Sequence, residues 1–331
     1  MRALTFFLMI SMCLVACGGD PQDNADANAT DSAIDNSDTE TENPGSTEAD
    51  EPNEDSGQDT DGLVEPDNSQ TQPLDTGLWD FTVEQEVEGE LIEREIIVHV
   101  PVTLDANRLY PMVFAFHGNG GIADHFIGEL GAFVEDGEFV GVYLQGVENS
   151  WNMGREESKA DDTAFVNQVV DYLKQYQSLD FERVYGYGFS NGSGIIHKIA
   201  VESSVFRAIA GFASQLLEGA GPTDNSGPVS VFQMHDVGDG VIPYDGGLSN
   251  ATGHTFYSAE QSAALWAAHN QCGEDPSLMD LDGGHTKFTY DGCANNTEVV
   301  HYKTVGAGHG TPDDLDGAPS QVAWDFLKRQ R

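Results

Sequence analysis

A serine framed by glycines, where a strand-like segment gives way to a helix-like one, constrains this chain more than any other feature. Gly188-Phe189-Ser190-Asn191-Gly192 ends the β-prone run 183–189 and leads into Ile195-Ile196-His197-Lys198-Ile199. A strand that stops abruptly and re-enters as a helix lifts the residue at the bend above the sheet edge. The bend is too tight for bulky side chains two residues away on either side. The hydroxyl so exposed is a weak nucleophile until a base takes its proton. With 37 glycines in the chain, the pentapeptide alone also reads as an ordinary turn of small residues. The strand before it and the helix after it favour the sharp bend, and make Ser190 the expected nucleophile.

The flanking sequence predicts the setting for such a bend. Residues 78–87 and 91–100 alternate and are β-prone, with Gly89 between them, which predicts an opening hairpin. Continuous apolar runs at 111–117, 139–144, 208–212 and 229–235 read as buried strands. A helical apolar spacing occurs at 162–176, where Phe165, Val166, Val169, Val170, Leu173 and Tyr176 share a side. Further helices are expected at 192–201, 257–270 and 320–328, and a further strand at 297–304. Alternating strands and helices predict an α/β fold with a mostly parallel sheet flanked by helices.

Other motifs fall at the ends of these strands. His117-Gly118-Asn119-Gly120-Gly121 follows the strand ending at Phe116, where an α/β-hydrolase supplies one backbone N–H to the oxyanion; the residue after the nucleophile supplies the second. These donors are expected to be Asn119, with Gly120 as its near rival, and Asn191. After the strand 229–235 comes Asp236-Val237-Gly238-Asp239, and after 297–304 comes Val305-Gly306-Ala307-Gly308-His309. The order Ser, Asp, His is that of an α/β-hydrolase, in which the acid orients the imidazole and the imidazole relays the serine proton. Asp239 is the expected acid, with Asp236 and Asp245 as rivals. His309 is the expected base, ahead of His301 inside a strand and of His269 and His285 outside the final loop.

Taken together, 111–121, 160–173, 183–194, 229–247 and 305–312 resemble the secreted α/β-hydrolases of carbohydrate esterase family one, which groups poly(3-hydroxybutyrate) depolymerases with feruloyl and acetylxylan esterases. The resemblance covers about 98–327. It implies a serine carboxylesterase with Ser190, Asp239 and His309 as triad and with no metal or organic cofactor. It implies cleft-lining roles for Trp151 and Asn152, which read equally well as a buried anchor. It matches Asp161 and Asp162 to an acidic pair at a helix start, where N-capping is the plain reading. Two departures bear on substrate preference. Gly310-Thr311-Pro312 stands where the family often has Trp-Pro, and His235-Asp236 where it often has His-Gly. Crystalline polyester usually calls for a separate surface-binding domain in this family, and none is evident. Soluble oligomers, or esters on plant polysaccharide, are therefore expected over polymer, and a non-catalytic binding protein on the same fold is the contrasting alternative.

Export is written at the N-terminus. Arg2 precedes an apolar stretch at 4–15, too short to span a bilayer and suited to a signal peptide. It ends in Leu14-Val15-Ala16-Cys17-Gly18-Gly19, which resembles a bacterial lipobox with Cys17 as the lipidated residue. Gly18, where retention at the inner membrane would call for Asp, points to the outer membrane or cell surface. Residues 18–76 are acidic and polar with almost no large apolar side chain, and no Lys or Arg occurs between Arg2 and Arg94. Such a segment is expected to be a disordered tether, leaving 77–331 as the folded domain. Asp59-Thr60-Asp61-Gly62 lacks the later Glu of a calcium loop. The net charge of −42 argues against nucleic acid as a partner. With Cys13 in the leader and Cys17 lipidated, Cys272 and Cys293 remain as an even pair in an oxidising compartment, where a disulfide is expected.

Overall fold

The structure is a computed structural model that describes residues 71–331. The expected leader, the lipobox with Cys17 and residues 18–70 lie outside the described residues. The chain joins the folded body earlier than Gly77. Gln72 donates its N–H to Gln175 O (2.8 Å) and accepts from Gln177 N–H (2.9 Å), and Leu74 is buried in the core.

Twelve strands and five α-helices follow. They are β1 (Gly77–Val87), β2 (Glu90–Val100), β3 (Tyr110–Phe116), α1 (Ile127–Glu135), β4 (Val140–Leu144), α2 (Asp162–Leu173), β5 (Leu179–Phe189), α3 (Asn191–Glu202), β6 (Ala208–Phe212), β7 (Ser230–Asp236), β8 (Gly247–Leu248), β9 (Thr255–Phe256), α4 (Ala259–His269), β10 (Ser277–Asp280), β11 (Thr286–Tyr290), β12 (Val299–Thr304) and α5 (Pro319–Leu327). Ten strands form one sheet in the order β1-β2-β4-β3-β5-β6-β7-β12-β11-β10, and β8 and β9 pair separately. The six strands from β4 to β12 run parallel, with antiparallel pairs at both edges.

The burial of each strand follows from its place. β3, β4, β6 and β7 are buried at every residue, as parallel strands covered on both faces must be. β1, at the edge, alternates between partly buried and exposed positions. Its two-residue turn to β2 places Glu88 and Gly89 at φ 52° and 88°, the left-handed pair whose twist suits a tight hairpin. On one side of the sheet Phe165 and Val169 of α2, Ile195 and Ile196 of α3 and Trp266 of α4 join the strands in a single core. On the other, Leu130 and Val134 of α1 and Trp324, Phe326 and Leu327 of α5 do the same. Helix α1 and the β10–β11 hairpin are additions to what the sequence pattern predicts.

Candidate active site

Everything at the site hangs from the C-terminal ends of the parallel strands. β5 ends at Phe189 and α3 begins at Asn191, so Ser190 alone makes the bend, at φ 55° and ψ −118°. This is a backbone conformation that a residue with a side chain adopts only when its surroundings impose it. The flanking glycines are sterically required. A Cβ on Gly188 would stand 2.2 Å from Gly192 O, and one on Gly192 would stand 2.0 Å from Phe116 O. Helix α3 is thereby seated directly on the end of β3.

Three side chains meet above the bend. His309 Nε2 lies 2.8 Å from Ser190 Oγ, and His309 Nδ1 lies 2.8 Å from Asp239 Oδ2. Burial by itself would raise the Asp239 carboxyl. Hydrogen bonds from His235, from His309 and from the amides of Ile242 and Val241 outweigh it and hold Asp239 well below the usual carboxylate range. An ionised Asp239 accepts only, so His309 Nδ1 carries the donated proton and Nε2 is left to accept from the serine hydroxyl. The arrangement can deprotonate Ser190 and stabilise the imidazolium that results. Ser190 and His309 are half-buried, open enough for a substrate to reach.

The rival acids have other places. Asp236 Oδ2 accepts from Ala307 N–H (2.9 Å) and Thr304 Oγ1 (3.2 Å), which ties down the loop that carries His309. Asp245 is exposed. Of the other histidines, His301 is buried within β12 against Tyr244 Oη, and His269 bonds to Gly227 O. His285 accepts from Val305 N–H (3.1 Å) and lies 2.8 Å from Asp314 Oδ1, a second fastening of the His309 loop.

The Gly-rich loop after β3 lies beside the serine, since a Cβ on Gly118 would be 3.6 Å from Ser190 Cβ. Gly120 donates its N–H to Asn149 O (2.7 Å), and Gly121 donates to Gly118 O (2.9 Å). Among the described backbone hydrogen bonds Asn119 N–H has no acceptor, which separates it from its rival Gly120. Asn149 reaches Gly120 through two successive left-handed residues, Glu148 (φ 54°) and Asn149 (φ 53°). The N–H of Asn191 is the first of α3 and has no acceptor within the helix. Burial shifts the His117 imidazole toward its neutral form, and the hydrogen bonds fit that form: Nδ1 donates to Gly118 O (2.8 Å) and Nε2 accepts from Gly146 N–H (3.1 Å).

Trp151 is buried too deeply to line a cleft, whereas Asn152 is half-buried. Trp151 is fully buried; its indole N–H donates to His117 O (2.8 Å), and its backbone exchanges hydrogen bonds with the Asn191 side chain. Asn152 spends its side chain on Ala160 O and Gly154 N–H. A bulky indole is best satisfied where both its rings and its N–H are engaged, and that place is beneath the site. Asp161 caps α2 by accepting from Ala164 N–H, but Asp162 does not act as a cap. Asp162 is fully buried, pairs with Arg94 Nη2 at 2.8 Å and accepts from Asn152 N–H (2.7 Å). Arg94 also sits 3.5 Å from the centre of the Phe165 ring. Sequence reasoning missed Arg94 and His235. Arg94 lies in no motif; His235, four residues before Asp239, lies in the matching stretch 229–247 but registered only as a strand end and as part of the His235-Asp236 departure, with no role of its own.

Cys272 and Cys293 form a disulfide joining the end of α4 to the segment after β11. A cleft of about 840 Å³ lies between the β10–β12 edge and α5, lined by Met279, Leu281, Tyr302, Val322 and Phe326, away from the triad.

A scan against models of known protein families finds no match. The chain is 25% identical over 253 residues to Feruloyl esterase B of Piromyces equi, covering 71% of this chain and 45% of that protein. It is 24% identical over 248 residues to Probable feruloyl esterase C of Aspergillus niger, covering 71% of this chain and 83% of that protein. It is 26% identical over 242 residues to the Bifunctional acetylxylan esterase/xylanase XynS20E of Neocallimastix patriciarum, covering 71% and 33%. Among solved structures, the Acetyl xylan esterase from Aspergillus awamori superposes with a TM-score of 0.50 at 14% identity, covering 70% of this chain and 94% of that one. With a mostly parallel sheet flanked by helices, the chain has the α/β-hydrolase fold.

Proposed function

We propose that this chain is a serine carboxylesterase. Ser190 attacks the ester carbonyl while His309 takes its proton, and Asp239 holds the imidazole and balances its charge. The oxyanion rests on the N–H groups of Asn119 and Asn191, aided by the N-terminal end of α3. His309 then protonates the leaving alcohol, and water hydrolyses the acyl-enzyme. The observation that carries this reading is the unbroken Ser190–His309–Asp239 relay, with both contacts at 2.8 Å. That every member is present and aligned favours catalysis over a binding role.

The substrate class is proposed from the relatives named feruloyl and acetylxylan esterases: feruloyl or acetyl esters of plant polysaccharide, with short hydroxyalkanoate oligomers as the second class. The enzyme is proposed to work outside the cytosol, held to a membrane by a lipid on Cys17; a disulfide between Cys272 and Cys293 supports an oxidising compartment.

Hydrolysis of p-nitrophenyl acetate by the full chain and by Ser190→Ala tests the mechanism. Loss of at least about three orders of magnitude in kcat/KM is expected for the variant. A folded parent without turnover, or a variant equal to it, overturns the proposal. A panel of feruloyl, acetyl and hydroxybutyryl esters then ranks the substrate classes.

A further inference from the structure

The carboxylate of Asp239 is held by four donors. Oδ1 accepts from Val241 N–H (2.8 Å) and Ile242 N–H (2.9 Å). Oδ2 is shared by two imidazoles, that of His309 (2.8 Å) and that of His235 (3.0 Å). The second imidazole has no part in the proton relay. It is fully buried at the end of β7, and its Nε2 faces two acceptors, Asp239 Oδ2 and Ile242 O (3.1 Å). Nε2 must therefore carry a proton. Its Nδ1 is buried with no hydrogen-bond partner. A proton there would have no acceptor, so geometry sets the tautomer, with the proton on Nε2 and none on Nδ1.

We infer that His235 is a positioning residue for the acid of the triad: its Nε2–H fixes the rotation of the Asp239 carboxylate and draws off part of the charge that Oδ2 presents to His309. The inference rests on the esterase reading of the same site. With the two amides gripping Oδ1, His235 is the second point that stops the carboxylate pivoting about that edge. Its N–H dipole also competes with His309 for a single oxygen. Removing it leaves Oδ2 more negative toward His309, which favours the protonated imidazole.

The charged and titratable groups around this unit are few. Tyr244 lies edge-on to His235 and bonds His301 Nε2 (2.9 Å) and Glu260 Oε1 (3.0 Å). Lys303 pairs with Glu260, and Asp236 is occupied by the His309 loop. Asp245 is exposed near Tyr244, and Phe189 supplies an uncharged face to the His309 ring.

His235→Phe keeps the ring and removes the donor; His235→Gln restores an N–H at the position of Nε2. In His235→Phe, kcat for p-nitrophenyl acetate is expected to fall about tenfold with little change in KM. The acid limb of its kcat/KM profile is expected to move to higher pH by about half a unit. His235→Gln is expected to recover most of both. A purely structural role predicts equal losses in Phe and Gln with the acid limb in place, and that result, or a His235→Phe profile matching the parent, overturns the inference. Should His235→Phe fail to fold, histidine-labelled NMR of the unaltered protein decides. A proton on Nε2 and none on Nδ1 supports the inference, and the reverse tautomer refutes it. The same spectrum decides when the parent shows no turnover, so failure of the esterase reading is distinguishable from failure of this one.

Discussion

At the scale of single residues, the site depends on what two glycines lack. Gly192 has no room for a methyl group, because Phe116 O would lie 2.0 Å from it, and Phe116 immediately precedes the Gly-rich loop. Gly192→Ala must therefore push α3 away from β3 and displace Ser190 from both His309 and the oxyanion donors. Misplacement of a reacting group by about 1 Å costs on the order of a hundredfold. Gly192→Ala is expected to lower kcat/KM for a short ester by at least that factor, and parental kinetics would contradict the packing reason for this glycine. Ser190, Asp239 and His309 were legible as an ordered set because each follows the end of a predicted strand, and parallel strands deliver their C-terminal ends to one edge. The sequence left Asp236 open as a rival acid. It sits one residue past the run 229–235, and only the fold reveals that its carboxylate faces Ala307 and Thr304.

At the scale of elements, the segment between β4 and α2 is held by charge inside the protein. Arg94 on β2 and Asp162 at the head of α2 are both fully buried, and burial shifts each against its charged form while the partner offsets the shift. Asp162 also takes Asn152 N–H, and the adjacent Trp151 clasps the side chain of Asn191. One ion pair thus supports the residue whose N–H is proposed to bind the oxyanion. Removing one partner of such a pair leaves the other charge uncompensated, at a cost of about 3 kcal/mol or more. Asp162→Asn is expected to lower Tm, and to lower kcat more than it raises KM. An unchanged Tm would show that the pair carries no such role. None of this was legible from sequence. Arg94 falls in an alternating strand, where a cation reads as solvent-facing, and Asp162 reads as a helix cap. The buried strands were legible because long apolar runs have few alternatives. Helix α1 was not, with Gly128 and Gly131 weakening its helical signal, nor was β10, whose residues are all exposed.

At the scale of the whole molecule, the Cys272–Cys293 bridge closes a loop of 21 residues, which stabilises by about 3 kcal/mol through the unfolded chain. Reduction is expected to lower Tm by roughly 6–10 °C while leaving the triad in place. Mass spectrometry of the protein isolated without reductant reads this bridge and the proposed anchor together. Two linked cysteines and a lipid-modified Cys17 are expected. Free thiols would refute the bridge, and a bare Cys17 or an uncleaved leader would refute the anchor.

The sequence by itself determined the alternation of strands and helices, and with it the fold class, because hydrophobic periodicity is a local property of a chain in water. It also placed the glycines of the bend and the order of the chemistry-bearing residues, both written in short contiguous motifs. Only the tertiary structure decided which N–H after β3 stays free, where Trp151 goes, and that Asp239 serves two imidazoles. Each depends on a partner far along the chain: Asn149 for Gly120, Asn191 for Trp151 and His309 for Asp239. Such pairings arise when buried polar groups must be satisfied within a packed interior, and no local pattern of residues encodes them.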